Sequence, residues 1–209
     1  MISAIVGFAV VAGLLTMVPG MDTALVLRYS VAGGTRTAYA TVAGICLGLL
    51  AWGIAAAVGI SAVLTASQVA FDIIRIAGAV YMVVLGARLI WNARHAATPP
   101  AASVAPGEPA GLRTPFLRGL LTNLLNPKIG VFYMAVLPQF LPTGTSALQA
   151  GTVLALVHVA ESLVWFSALI LGTRLMQPWL SKGSVQAWID RITGGVLIGF
   201  GLKVAFDRP

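Results

Sequence analysis

Asn126-Pro127-Lys128 lies near the middle of an apolar run that extends from about Arg118 to Phe140. An amide, a helix breaker and a lysine are placed where a bilayer would be driest, and polar groups at that depth are expensive enough to mark a functional site. Counting from Arg118 at the helix rise puts Lys128 about 15 Å into the span, too deep to snorkel to the interface. Asn is a good N-cap and Pro is favoured at the first helical position. The triplet therefore predicts a helix that stops and restarts in mid-membrane. Its free N–H groups and positive dipole end would point inward, a geometry that binds carboxylates and phosphates.

Composition agrees with a membrane setting. The chain of 209 residues is 58% hydrophobic and 9% charged, with mean hydropathy +0.93. A soluble domain carries about 25% charged residues. The net charge of +7 does not point to nucleic acid, because no basic patch is interleaved with exposed aromatics. Cys46 is the sole cysteine, which excludes an internal disulfide and a cysteine zinc cluster. The first apolar run, Ile2–Leu27, has no Lys or Arg before it and exceeds an ordinary signal-peptide core, so it reads as a retained span.

Five further runs follow at about Ala38–Thr65, Val69–Trp91, Pro115–Phe140, Ala147–Thr173 and Trp188–Phe206. Each can cross about 30 Å of hydrocarbon, and each must be helical to satisfy its own backbone. The expected fold is an all-α membrane protein of six transmembrane helices. Gly44 with Gly48, and Gly195 with Gly199, give small faces for close helix packing. Between the third and fourth runs, Pro99, Pro100, Pro106 and Pro109 preclude regular structure. That divides the chain into 1–94, a Pro/Ala-rich linker at 95–113, and 114–209. Arg28, Arg36, Arg88, Arg94, Arg113, Arg118, Arg174, Lys182 and Arg191 border one face, against Arg75, Lys203 and Arg208 on the other. The positive-inside rule places the first set and the linker in the cytoplasm and both termini outside.

The two halves resemble each other. Pro19 aligns with Pro127, and Phe8 then falls on Phe116. With an eight-residue insertion, Arg75-Ile76-Ala77-Gly78-Ala79-Val80 falls on Arg191-Ile192-Thr193-Gly194-Gly195-Val196. Three helices is an odd number, so the second copy enters from the opposite face. The result is two inverted three-helix repeats, the first helix of each broken at mid-membrane, with a binding site between them.

Pro19-Gly20 breaks helix one, and Asp22 follows in the next turn. Lys128 at such depth either pairs with an acid, loses its proton or meets an anionic substrate. Helix five supplies Glu161, with His158 three residues before it. Asp22, Lys128 and Glu161 are thus expected to converge. Asn126, Pro127, Lys128, Pro19, Gly20 and Asp22 are the candidate substrate-binding residues, and Glu161, Asp22 and His158 the candidates for proton coupling. Phe132, Tyr133 and Trp165 are candidate walls. A metal centre is not expected, since H-x-x-E sites need more carboxylates than this chain carries in its spans. No cofactor motif, P-loop, H-E-x-x-H or nucleophile elbow occurs, so nothing points to an enzyme.

Pro19-Gly20-Met21-Asp22, Asn126-Pro127-Lys128 and Leu137-Pro138-Gln139-Phe140 together resemble the LysE/RhtB family of amino-acid exporters. The resemblance covers nearly the whole chain outside the linker. Met21 stands where that family usually has a second proline, and Glu161 where it more often has Asp. The resemblance implies proton-driven efflux of amino acids or close derivatives across the bacterial inner membrane. The implied partners are a small-molecule substrate, protons and lipid; a homo-oligomer is left open. Two other readings fit the residues alone: a metal-cation exporter using His158, Glu161 and Asp22, and a membrane scaffold or sensor whose polar residues are structural.

Overall fold

The structure is a computed structural model that describes residues 2–66, 68–93, 111–142, 144–173 and 182–206. The described residues are helical, in the order α1 (Ile2–Met17), α2 (Met21–Ala32), α3 (Gly34–Ala66), α4 (Gln68–Asn92), α5 (Arg113–Leu124), α6 (Pro127–Val136) with a 3₁₀ turn (Leu137–Phe140), α7 (Ala147–Leu171) and α8 (Gly183–Phe206). The linker lies outside the described residues up to position 110, and its last predicted residue, Arg113, is already the first of α5.

Both predicted breaks are present. The α1 and α2 axes meet at 56°, and those of α5 and α6 at 52°. At the first, Pro19 cannot donate a backbone hydrogen bond and Gly20 adopts an extended conformation, so α2 restarts at Met21 without a side-chain cap. At the second, Asn126 is extended and its side-chain oxygen accepts the Lys128 backbone N–H at 3.1 Å, with Pro127 at the first helical position. The second break is the better capped. A different device joins α2 to α3: Gly34, at φ +78°, takes the left-handed conformation that lets one helix follow another almost without a loop.

Gly34–Gly59 within α3, and α7, are each long and apolar enough to cross a bilayer. Each bent pair also qualifies if it counts as one broken span, giving two to four candidate spans among the described residues. Helices α4 and α8 are continuous over 25 and 24 residues. Within α4, Ile76–Asn92 is a continuous apolar stretch.

Helix α3 packs against α5 and α7, and α4 packs against α8. The α3–α5 and α4–α8 approaches are backbone to backbone. A side chain at Gly44 would run into the Phe116 carbonyl, and one at Gly119 into the Thr41 carbonyl, so the α3–α5 contact is reciprocal. Gly86 and Gly194 face each other's carbonyls between α4 and α8 in the same way. The Gly44–Gly48 face therefore packs as predicted. The Gly195–Gly199 face does not: no described atom lies within 4 Å of a Cβ at either position, and α8 approaches α4 through Gly194 and Gly201 instead. A four-residue spacing of glycines does not say which side of a helix meets a neighbour.

Large apolar side chains such as Leu47, Ile54, Val80, Val84, Leu156 and Val164 are exposed, while Asp22, Asn123, Asn126, His158 and Ser162 are buried. This is the distribution expected of a chain whose surround is lipid. Gly44→Leu forces two backbones apart and is expected to cost about 3 kcal/mol. Gly199→Leu meets open space and should change stability by less than about 0.5 kcal/mol. Thermal melting of the two purified variants against the parent protein checks both.

Candidate functional site

The two breaks meet. Lys128, in the first turn of α6, extends to the other break, and its Nζ donates to the carbonyl oxygens of Leu15 and Val18, both at 3.3 Å. These are carbonyls at the C-terminal end of α1, which the break leaves without intrahelical donors. A cation there also meets the negative end of the α1 dipole. Gly20 makes room for this reach, because a Cβ at that position would sit 3.3 Å from Nζ.

Asp22 begins α2 on the far side of the same break and is 8% exposed. Its Oδ2 accepts from Asn123 Nδ2 at 3.0 Å and from Asn126 Nδ2 at 3.4 Å. Its Oδ1 is buried with no hydrogen-bond partner among the described residues. Half of the carboxylate is thus fixed by two amides of the second break, and half is left over. A buried acceptor without a donor is costly, and an ammonium, a water or a proton would relieve it.

Asp22 and Lys128 border one cavity together with Gly20, Thr16, Asn123, His158 and Ser162. Leu15, Ile45, Leu49, Ile129 and Phe166 form its apolar wall. Room for the centre of a water-sized sphere amounts to about 20 Å³, enough for about one water molecule. An amino acid does not fit unless the helices move.

His158 is fully engaged. Its Nδ1 lies 3.1 Å from Tyr133 Oη and its Nε2 lies 3.0 Å from Thr16 Oγ1. The single Thr16 hydroxyl proton goes to the Ala12 carbonyl at 2.8 Å. That assigns the tautomer: Nε2–H donates to Thr16, and the Tyr133 hydroxyl donates to Nδ1. The imidazole ties α1, α6 and α7 together with no unmet hydrogen bond.

Of the residues singled out in the sequence, Gly20, Asp22, Lys128 and His158 line the cavity. Pro19, Asn126 and Pro127 do not; they shape the breaks that present the others. Glu161 lies off the cavity. Its carboxylate packs against α1 where a Cβ on Gly13 would be 3.3 Å from Oε1, and its Oε2 is buried without a partner. The expected convergence of three ionisable groups is therefore a convergence of two. Phe132, Tyr133 and Trp165 are not cavity walls either. Phe132 and Tyr133 pack in an aromatic cluster with His158 behind it. Sequence reading missed Asn123, which is wholly buried and makes the shorter bond to Asp22. The available signal was a second amide one turn before Asn126 in the same apolar run. Among the described residues, no three His, Cys, Asp or Glu side chains gather as metal ligands would.

The chain matches the family model described as LysE type translocator over residues 14–208. It is 27% identical to the uncharacterized membrane protein YrhP of Bacillus subtilis (strain 168), over 94% of this chain and 96% of that one. It is 28% identical to the threonine efflux protein of Escherichia coli (strain K12), over 92% of each chain. The leucine efflux protein of Enterobacter sp. (strain 638) is 28% identical over 95% of this chain and 93% of its own. No solved structure matches significantly. A family model spanning nearly the whole chain, with full-length relatives among membrane and efflux proteins, leaves one assignment: this is a bacterial inner-membrane protein of the LysE type translocator family.

Proposed function

We propose that the chain is a six-helix secondary transporter that exports neutral amino acids from the cytoplasm by proton antiport. The observation that carries this reading is the cavity between two broken helices, bordered by one acid and one base, Asp22 and Lys128. An amino-acid zwitterion supplies the complementary pair. Its ammonium satisfies the unpartnered Oδ1 of Asp22, and its carboxylate draws Lys128 Nζ from the Leu15 and Val18 carbonyls. Among the described residues that line the cavity no further side chain is charged, which favours a substrate with a neutral side chain. Relatives named for threonine and leucine efflux are in keeping with a neutral side chain.

Residues 1–94 and 114–209 form the two inverted repeats in this reading. Breaks of similar angle at the aligned prolines support it, as does the pairing of α3 with α7 and of α4 with α8. In each pairing a helix meets its own counterpart, as a two-fold axis in the membrane plane would require. A cavity that admits about one water must open to load and release, which is the requirement of alternating access. Glu161 carries the coupling proton. It faces α1, the arm that ends at the first break, and its unpartnered Oε2 is relieved by protonation. His158 braces the site through Thr16 and Tyr133, which hold its two ring nitrogens.

In proteoliposomes, Lys128→Ala should lower exchange of labelled threonine or leucine by at least about 100-fold, the usual scale for stripping one member of a buried charge pair. Exchange at the parent rate would remove Lys128 from the site. Glu161→Gln should still exchange substrate across the bilayer yet fail to concentrate it when a pH gradient is imposed. Accumulation by that variant equal to the parent's would refute the coupling role. Lysine and glutamate, offered as competitors, should leave the exchange of neutral substrates unchanged.

A further inference from the structure

A second and larger cleft, of about 360 Å³, opens where α1 begins and where α8 and the 3₁₀ turn after α6 end. Ser3, Gly7, Gln139, Phe140, Phe200 and Lys203 are among its lining residues. Its floor and the central cavity are separated by a few aromatic rings. Phe8, on α1, is fully buried. Its ring centroid lies 5.7 Å from that of Phe140, which borders the cleft, and 6.3 Å from that of His158, which borders the central cavity. Phe132 closes the cluster, 5.7 Å from Phe8 and 5.6 Å from His158.

The segments that carry Phe8, Phe132 and Phe140 all adjoin the two breaks. Phe8 belongs to α1, which ends at the Pro19-Gly20 break; Phe132 and Phe140 belong to α6 and its 3₁₀ turn, which begin at the Asn126-Pro127 break. Lys128 ties the two arms together at the breaks, and the rings tie them at the cleft. The arms approach closely at the rings because residue 7 has no side chain, since a Cβ there would lie 2.8 Å from Phe140 Cε1. On the other side of the breaks the contacts are polar: Arg118 donates to Tyr29 Oη at 3.0 Å, and Ser30 and Thr173 hydroxyls lie 2.7 Å apart. The two faces are thus sealed by different chemistry.

We infer that the cleft is the vestibule through which the central cavity communicates with one face of the membrane, and that Phe8, closed on Phe132 and Phe140, is its gate. The rings seal without directional bonds, so parting them at the cleft breaks no hydrogen bond of their own. This rests on reading the chain as a transporter, but its test reads accessibility and needs no substrate.

In a Cys46→Ala background, Ser162→Cys reports the central cavity and Ser3→Cys reports the vestibule. A charged, membrane-impermeant methanethiosulfonate is applied to intact cells and to inverted vesicles. From whichever face labels Ser3→Cys, adding Phe8→Ala should raise the Ser162→Cys labelling rate about tenfold or more, as opening a closed lid would. Phe200→Ala, which widens the cleft without touching Phe8, should leave it within about twofold. An unchanged rate with Phe8→Ala, or an equal rise with Phe200→Ala, overturns the gate. Should Phe8→Ala fail to fold, a short thiol cross-linker between Phe8→Cys and Phe140→Cys gives the converse reading. It should suppress Ser162→Cys labelling from that face, with recovery on reduction, and undiminished labelling of the cross-linked protein overturns the proposal. If labelling behaves as expected while no amino acid is transported, the gate stands and the substrate assignment alone fails.

Discussion

The arrangement depends on a lysine that completes another helix. Breaking α1 at Pro19 leaves carbonyl oxygens exposed inside the protein, and burying them unsatisfied would be costly. Lys128 Nζ takes two of them, those of Leu15 and Val18. In return the carbonyls and the dipole end of α1 give a buried ammonium the partial negative charge it needs. The complementary exchange runs the other way at Asp22, where the amides of Asn123 and Asn126 hold one carboxylate oxygen. Each break is completed by the other. Neither half of the chain satisfies its polar groups alone, and this explains how an apolar protein keeps a charged centre.

The same economy leaves something over. Lys128 has three protons and two acceptors, and Asp22 has an oxygen with no donor. A wholly structural ion pair would have closed on itself. Here the lysine and the carboxylate border a common cavity without bonding each other, which is the condition for a third party carrying both charges to bind between them. The rest of the cavity is lined by apolar side chains, the hydroxyls of Thr16, Thr23 and Ser162, the Asn123 amide and the His158 imidazole.

Much of this was legible in the sequence, for reasons tied to particular residues. Pro19-Gly20 and Asn126-Pro127 are backbone constraints, and backbone constraints act locally, so both breaks fell where predicted. Burial cost made Lys128 stand out from its apolar neighbours for the same reason. What failed was azimuth. Counted along the sequence, Glu161 and Lys128 both fall near mid-span, but Ser162 and His158 occupy the cavity side of α7 while Glu161 faces Gly13 of α1. Gly195 and Gly199 have the spacing of a packing face on the wrong side of α8. Asn123 escaped notice because a buried amide gains meaning only from its partner, here Asp22, 101 residues earlier. Depth can be counted along a chain, whereas facing requires the neighbours.

The central claim is that Asp22 and Lys128 together recognise a zwitterion, and calorimetric titration of the purified protein tests it most directly. Titrants would be leucine, its decarboxylated amine and its deaminated acid. The account predicts that leucine binds and that each analogue, missing one charge, loses about 2–4 kcal/mol of affinity, because it strands one member of the buried pair. An analogue that binds as tightly as the intact amino acid would contradict it.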